Sequence, residues 1–122
     1  MKQYLLIVRT RPLAGREAEY HAWYDGRHLA EVLGVPGFTL ARRFAPRAVP
    51  PARDGDGRFL AVFTIETDDA ERTLAGFDEA RARMPVPDFL DADSVSFELW
   101  QAIGPEVSAA HDAAAGRSEA VR

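Results

Sequence analysis

The chain has 122 residues, room for one domain with a single core, and its 47% hydrophobic and 28% charged residues exclude wholesale disorder. A net charge of -4 and a sequence pI near 5.3 exclude the clustered basic surface that nucleic-acid binding requires. The lack of cysteine excludes a disulfide framework, a thiolate nucleophile and any Cys-ligated metal.

Residues 3 to 10 are rich in Leu, Ile, Val and Tyr, with apolar residues on both parities, as in a strand buried on both faces. The apolar run is far shorter than the roughly 20 residues of a membrane span. It shows no small-residue cleavage pattern, so the expected location is the cytoplasm, with no membrane partner. After Arg11-Pro12, residues 15 to 33 place Ala18, Ala22, Leu29 and Leu33 at helical spacing. Gly26 weakens the middle of this first helix and can divide it. Gly34, Pro36 and Gly37 end it in a turn.

A second strand is expected over residues 38 to 44, with Phe38, Leu40, Arg42 and Phe44 on one side and Thr39, Ala41 and Arg43 on the other. Residues 45 to 57 hold three prolines and two glycines and read as a long loop. A third strand spans 58 to 66. Asp68, with Glu71 three residues on, predicts a capped start to a second helix whose buried stripe is Ala70, Leu74, Phe77 and Met84. Pro85 and Pro87 end it. Residues 94 to 103 then alternate Val95, Phe97, Leu99 and Ile103 against Ser96, Glu98 and Trp100, a half-buried fourth strand. The folded domain is expected to be 1–104, with 105–122 a flexible tail poor in large apolar anchors.

The element order β-α-β-β-α-β predicts an α+β, ferredoxin-like fold, a four-stranded antiparallel sheet with two helices on one face. Its other face is left bare, and a symmetric homodimer packing sheet on sheet is the economical cover.

Gly15-Arg16-Glu17 through Trp23-Tyr24-Asp25 and His28-Leu29, then residues 32 to 38 and Ala41-Arg42-Arg43-Phe44, resemble the EthD-like branch of the dimeric alpha/beta-barrel superfamily. The likeness is close over the first helix and second strand and extends by element order over roughly residues 1 to 104. It implies a homodimer whose two sheets enclose a barrel, with a small-molecule cavity between each sheet and its helices or loops. The superfamily includes muconolactone isomerases, polyketide cyclases, cofactor-free or haem-degrading monooxygenases and proteins of no known activity. Many relatives carry Pro after the His-Leu pair; Ala30 here lets the helix continue.

At 100° per residue, His21, Asp25 and His28 fall within roughly 60° of one another on an unbroken helix. A carboxylate three residues from an imidazole that titrates near neutrality suits acid–base work, making His28 the candidate catalyst and Asp25 its orienting acid. The same grouping also reads as a helix end plugged by satisfied hydrogen bonds. Three metal ligands at this spacing lack the specificity of a known zinc motif, so no metal is expected. Trp23, Tyr24, Arg42 and Trp100 are candidates for substrate contact. For Tyr24 the alternative is packing at a dimer rim, for Arg42 an ion pair with Glu98 or Glu66, and for Trp100 burial in the dimer interface. Arg47, Arg53 and Arg58 read as a solvated loop or as a lid over an anionic substrate.

No glycine-rich phosphate loop, nucleophile elbow or dinucleotide fingerprint occurs, so no cofactor is expected. The expectation is a dimeric barrel enzyme, an isomerase, cyclase, decarboxylase or cofactor-free monooxygenase, acting on a hydrophobic oxygenated metabolite. The alternative is a non-catalytic metabolite-binding or structural barrel protein.

Overall fold

The computed structural model describes residues 1–48 and 56–111. Four strands, β1 (Lys2–Thr10), β2 (Phe38–Phe44), β3 (Phe59–Thr67) and β4 (Ser96–Gln101), make one antiparallel sheet in the order β2-β3-β1-β4. Between β1 and β2 the chain runs through α1 (Glu17–Trp23), a π-helical turn (Tyr24–His28) and α2 (Leu29–Leu33). Between β3 and β4 it forms α3 (Ala70–Arg83) and a short 3-10 turn (Ala92–Ser94). This is the ferredoxin-like arrangement expected from the element order.

The two central strands pair along their whole length, Lys2 with Thr67 through Thr10 with Phe59. Strand alternation turns Tyr4, Leu6 and Val8 of β1 and Ala61, Phe63 and Ile65 of β3 toward the helices, where all are buried. Tyr20, Val32, Val35 and Phe77 close over them from the helical layer. Phe77 stacks on Phe38 at 5.4 Å between centroids, joining α3 to β2. Each such large side chain contributes about 1.5–3 kcal/mol by leaving water, so this layer is the main source of stability.

Local chemistry fixes the ends of the elements. Asp69 caps α3 by accepting from the Arg72 amide at 3.1 Å. The expected cap, Asp68, lies one residue too early, because the Thr67 hydroxyl accepts from the Asp69 amide and holds Asp68 in the turn before the helix. At the corner before β2, Gly37 has φ 96, and a Cβ there would meet the Thr73 side chain at 3.0 Å. The Gly37 carbonyl accepts from the Glu66 amide at 2.8 Å, so this corner docks directly on β3.

One parity expectation fails in β2. The register shifts between Phe38 and Leu40, a bulge that places one extra residue in the strand. Beyond it, Ala41 and Arg43 pair with the helix-facing Phe63 and Ala61. Arg42 therefore stands on the open face with Leu40 and Phe44, and Arg43 turns toward the helices.

The open face carries Leu5, Ile7, Leu40, Phe44, Val62 and Trp100, with an Arg9–Glu98 ion pair across β1 and β4. Leu40 is 66% exposed and Trp100 56%. Residues 102–111 hold no helix or strand; the rest of the expected tail and most of the 45–57 loop lie outside the described residues. Among the described residues, no helix is long and apolar enough to cross a membrane.

Candidate functional site

The π-helical turn shapes the site. Its i→i+5 bonding admits one more residue per turn than an α-helix, and such insertions recur at functional sites. Gly26 sits in the middle, a poor α-helix former. Trp23 and His28, five residues apart, would diverge by roughly 140° on a regular α-helix. Here their rings stack, with centroids 4.2 Å apart and planes at 16°.

His28 is thereby held in a box of rings, its second contact being the edge of Tyr24 at 5.2 Å. Its Nδ1 lies 3.5 Å from Glu31 Oε1, at the outer limit of a hydrogen bond. Burial lowers the imidazole pKa below its ordinary value, and the Glu31 contact opposes that shift only partly. The ring is therefore neutral at physiological pH, the state in which a nitrogen can accept a proton.

Asp25, expected to orient His28, is placed elsewhere. It is 64% exposed and accepts from Arg43 Nη1 at 2.9 Å. Arg43 Nη2 also donates to His21 Nδ1 at 2.9 Å, so His21 and Asp25 do share a helix edge but meet at an arginine. The inserted residue turns His28 away from them. The Arg43 guanidinium lies over Tyr24 at 4.7 Å and over Tyr20 at 5.3 Å, its side chain only 12% exposed and its Nε without a partner among the described residues.

A cavity of about 470 Å³ opens between the helical layer and the sheet. Trp23, Tyr24, His28 and Val32 form one wall, Val8, Thr10, Phe63 and Phe97 come from the sheet, and Phe77 comes from α3. The volume is in the range of metabolite sites, and the lining is mostly apolar with a few polar groups, the usual make-up of a small-molecule pocket. Burial pushes the Tyr24 phenol up to about 12, so it stays protonated and remains a hydrogen-bond donor at neutral pH. Beside it the Thr10 hydroxyl shares a 2.6 Å hydrogen bond with the buried Tyr20 hydroxyl.

Of the residues expected from sequence, Trp23, Tyr24 and His28 converge on the cavity, whereas Asp25, Arg42 and Trp100 do not line it. Arg42 and Trp100 are on the open sheet face, and Glu98, one of the two partners expected for Arg42, pairs with Arg9. Sequence reading missed Glu31, whose position one turn after His28 is the signal that could have found it; Thr10 and Arg43 had no local signal. Of the loop arginines, Arg58 binds Asp56 at 2.6 Å and Ser96 Oγ at 2.9 Å, Arg47 is exposed, and Arg53 lies outside the described residues. Among the described residues no three His, Asp or Glu side chains gather as a metal site needs.

Comparison with protein-family models gives no match, nor does comparison with curated protein sequences. Among solved structures, the chain is similar to a point mutant of MhuD crystallised with two manganese protoporphyrin IX molecules bound per active site. The likeness covers 86% of this chain and 99% of that one, with a TM-score of 0.58 and 18% identity. It extends over nearly the whole domain, and what the two chains share is the ferredoxin-like α+β fold.

Proposed function

We propose that this protein is a small-molecule enzyme of the EthD-like, dimeric alpha/beta-barrel type, acting in the cytoplasm on a hydrophobic oxygenated metabolite with His28 as its acid–base. The cavity carries this reading: one neutral, partly buried histidine faces an apolar space beside a phenol held in its protonated form. That pairing suits abstraction of a proton from carbon next to a carbonyl. The imidazole accepts the proton, and the Tyr24 hydroxyl donates to the oxygen on which negative charge develops. Glu31 orients the ring through Nδ1, leaving Nε2 for the substrate. Asp25 acts at one remove, by holding Arg43 against Tyr24. A neighbour of the same fold that binds porphyrin in its active site supports a ligand role for the cavity.

The dimer belongs to the same reading. Leu5, Leu40, Phe44 and Trp100 are too much apolar surface to leave on one face of a small monomer, and a second copy covers them symmetrically.

Deuterium exchange at C1 of 2-tetralone, followed by NMR in D2O, tests the chemistry. Wild-type protein accelerates exchange and His28→Gln does not, while Asp25→Asn keeps most of the acceleration. Equal exchange with wild type and His28→Gln would leave the cavity as a binding site without acid–base catalysis, the alternative that the Trp23–His28 stack favours.

A further inference from the structure

Phe77, Asp78, Arg81 and Phe97 line both the His28 cavity and an adjoining one of about 410 Å³. Arg81 is the cation of this group. Its guanidinium lies over the Phe97 ring at 4.5 Å and near Phe77 at 5.7 Å. A guanidinium seated against an aromatic ring can still offer N–H donors in the fork that fits a carboxylate. Among the described residues, no carboxylate lies within salt-bridge distance of Arg81, whereas Arg83 on the same helix is paired with Glu79 at 2.7 Å. Asp78 lines the same rim and likewise has no cationic partner there among the described residues. It sets a limit on the total negative charge the rim accepts.

We propose that the cavity selects an anionic amphiphile: a flat apolar body with an oxygen at the His28 and Tyr24 wall and a carboxylate held by Arg81. The inference rests on the reading of this cavity as the ligand site and adds the charge of the ligand. The apolar body lies between Phe77, Phe97 and Trp23, and the carboxylate remains at the partly open rim, where Arg81 meets it without complete desolvation of either charge.

Isothermal titration of the full chain with 6-hydroxy-2-naphthoic acid and with its methyl ester tests the proposal. Wild-type protein binds the acid about tenfold more tightly than the ester. Arg81→Met abolishes that preference with the ester unchanged, Arg83→Met keeps it, and Asp78→Asn enlarges it. Ala92→Trp, which fills the cavity from its exposed edge, weakens both ligands. Equal binding of acid and ester to wild type, with both lost in Ala92→Trp, overturns the anion and leaves the site. Equal weakening of both ligands by Arg81→Met also overturns the anion. Binding that ignores Ala92→Trp, or no binding of either ligand, overturns both readings.

Discussion

Replacing Arg43 in two ways separates its charge from its bulk. The guanidinium forms an ion pair with an acid that is 64% exposed, which sets the value of the pair at about 0–1 kcal/mol. Its position over Tyr20 and Tyr24 adds about 0.5–2 kcal/mol of cation–π attraction, and the two contacts are not additive. Against these stands the desolvated Nε, a buried donor without an acceptor, at a cost of about 1–3 kcal/mol. These terms nearly cancel. Arg43→Met keeps an unbranched apolar stem between the rings and removes both the charge and the orphan donor, so its unfolding free energy stays within about 1 kcal/mol of wild type. Arg43→Ala also removes the stem and opens a gap among Tyr20, Tyr24 and Phe59, costing about 2–4 kcal/mol. Urea unfolding at one fixed protein concentration measures both. If Arg43→Met loses as much as Arg43→Ala, the charge holds the helix to β2 and the packing argument is wrong.

Two glycines give opposite outcomes. Gly37→Ala meets both a positive φ and a 3.0 Å contact with Thr73, and lowers stability by about 2 kcal/mol or more. Gly26→Ala places its methyl in open space at ordinary helical φ and shifts stability by no more than about 1 kcal/mol, in the stabilising direction; thermal melts of the pair compare them directly. For His28, burial makes the folded state bind its proton less readily than the unfolded chain does. Its contribution is complete above the usual imidazole value near 6.5 and is lost as pH falls through the lower folded value. Between pH 7.5 and 5.5 the urea midpoint of wild type therefore falls further than that of His28→Gln, and parallel profiles would show that His28 titrates as it does in the unfolded chain.

The sheet was legible because its signals are local. Period-two alternation in β1 and β4 and the proline and glycine punctuation between elements act over a few residues, and the structure places both strands within two residues of expectation at each end. Two insertions were not legible. The bulge after Phe38 exchanges the sides of Arg42 and Arg43, and nothing in Phe-Thr-Leu-Ala marks it, because the cause is the docking of the Gly37 corner on β3. The π turn has a hint in Gly26, yet projecting the helix at a constant 100° per residue joins His28 to Asp25 and hides its stack on Trp23. Three of the six candidate residues, Trp23, Tyr24 and His28, meet at the cavity because they sit on one continuous run. Thr10 and Tyr20 meet only through the packing of α1 on β1, a contact with no sequence signature.

The two tryptophans of the chain occupy the two surfaces that the proposed function would use. Trp23 stacks on His28, and a protonated imidazole at that distance quenches indole emission, so its fluorescence follows the charge of His28 and the filling of the cavity. Trp100 emits from the open sheet face, and under the proposed dimer its spectrum would shift to the blue as a second copy excluded water from it. Single-tryptophan variants thus give the protein two built-in optical channels, one on the cavity and one on the open sheet face, with no added label.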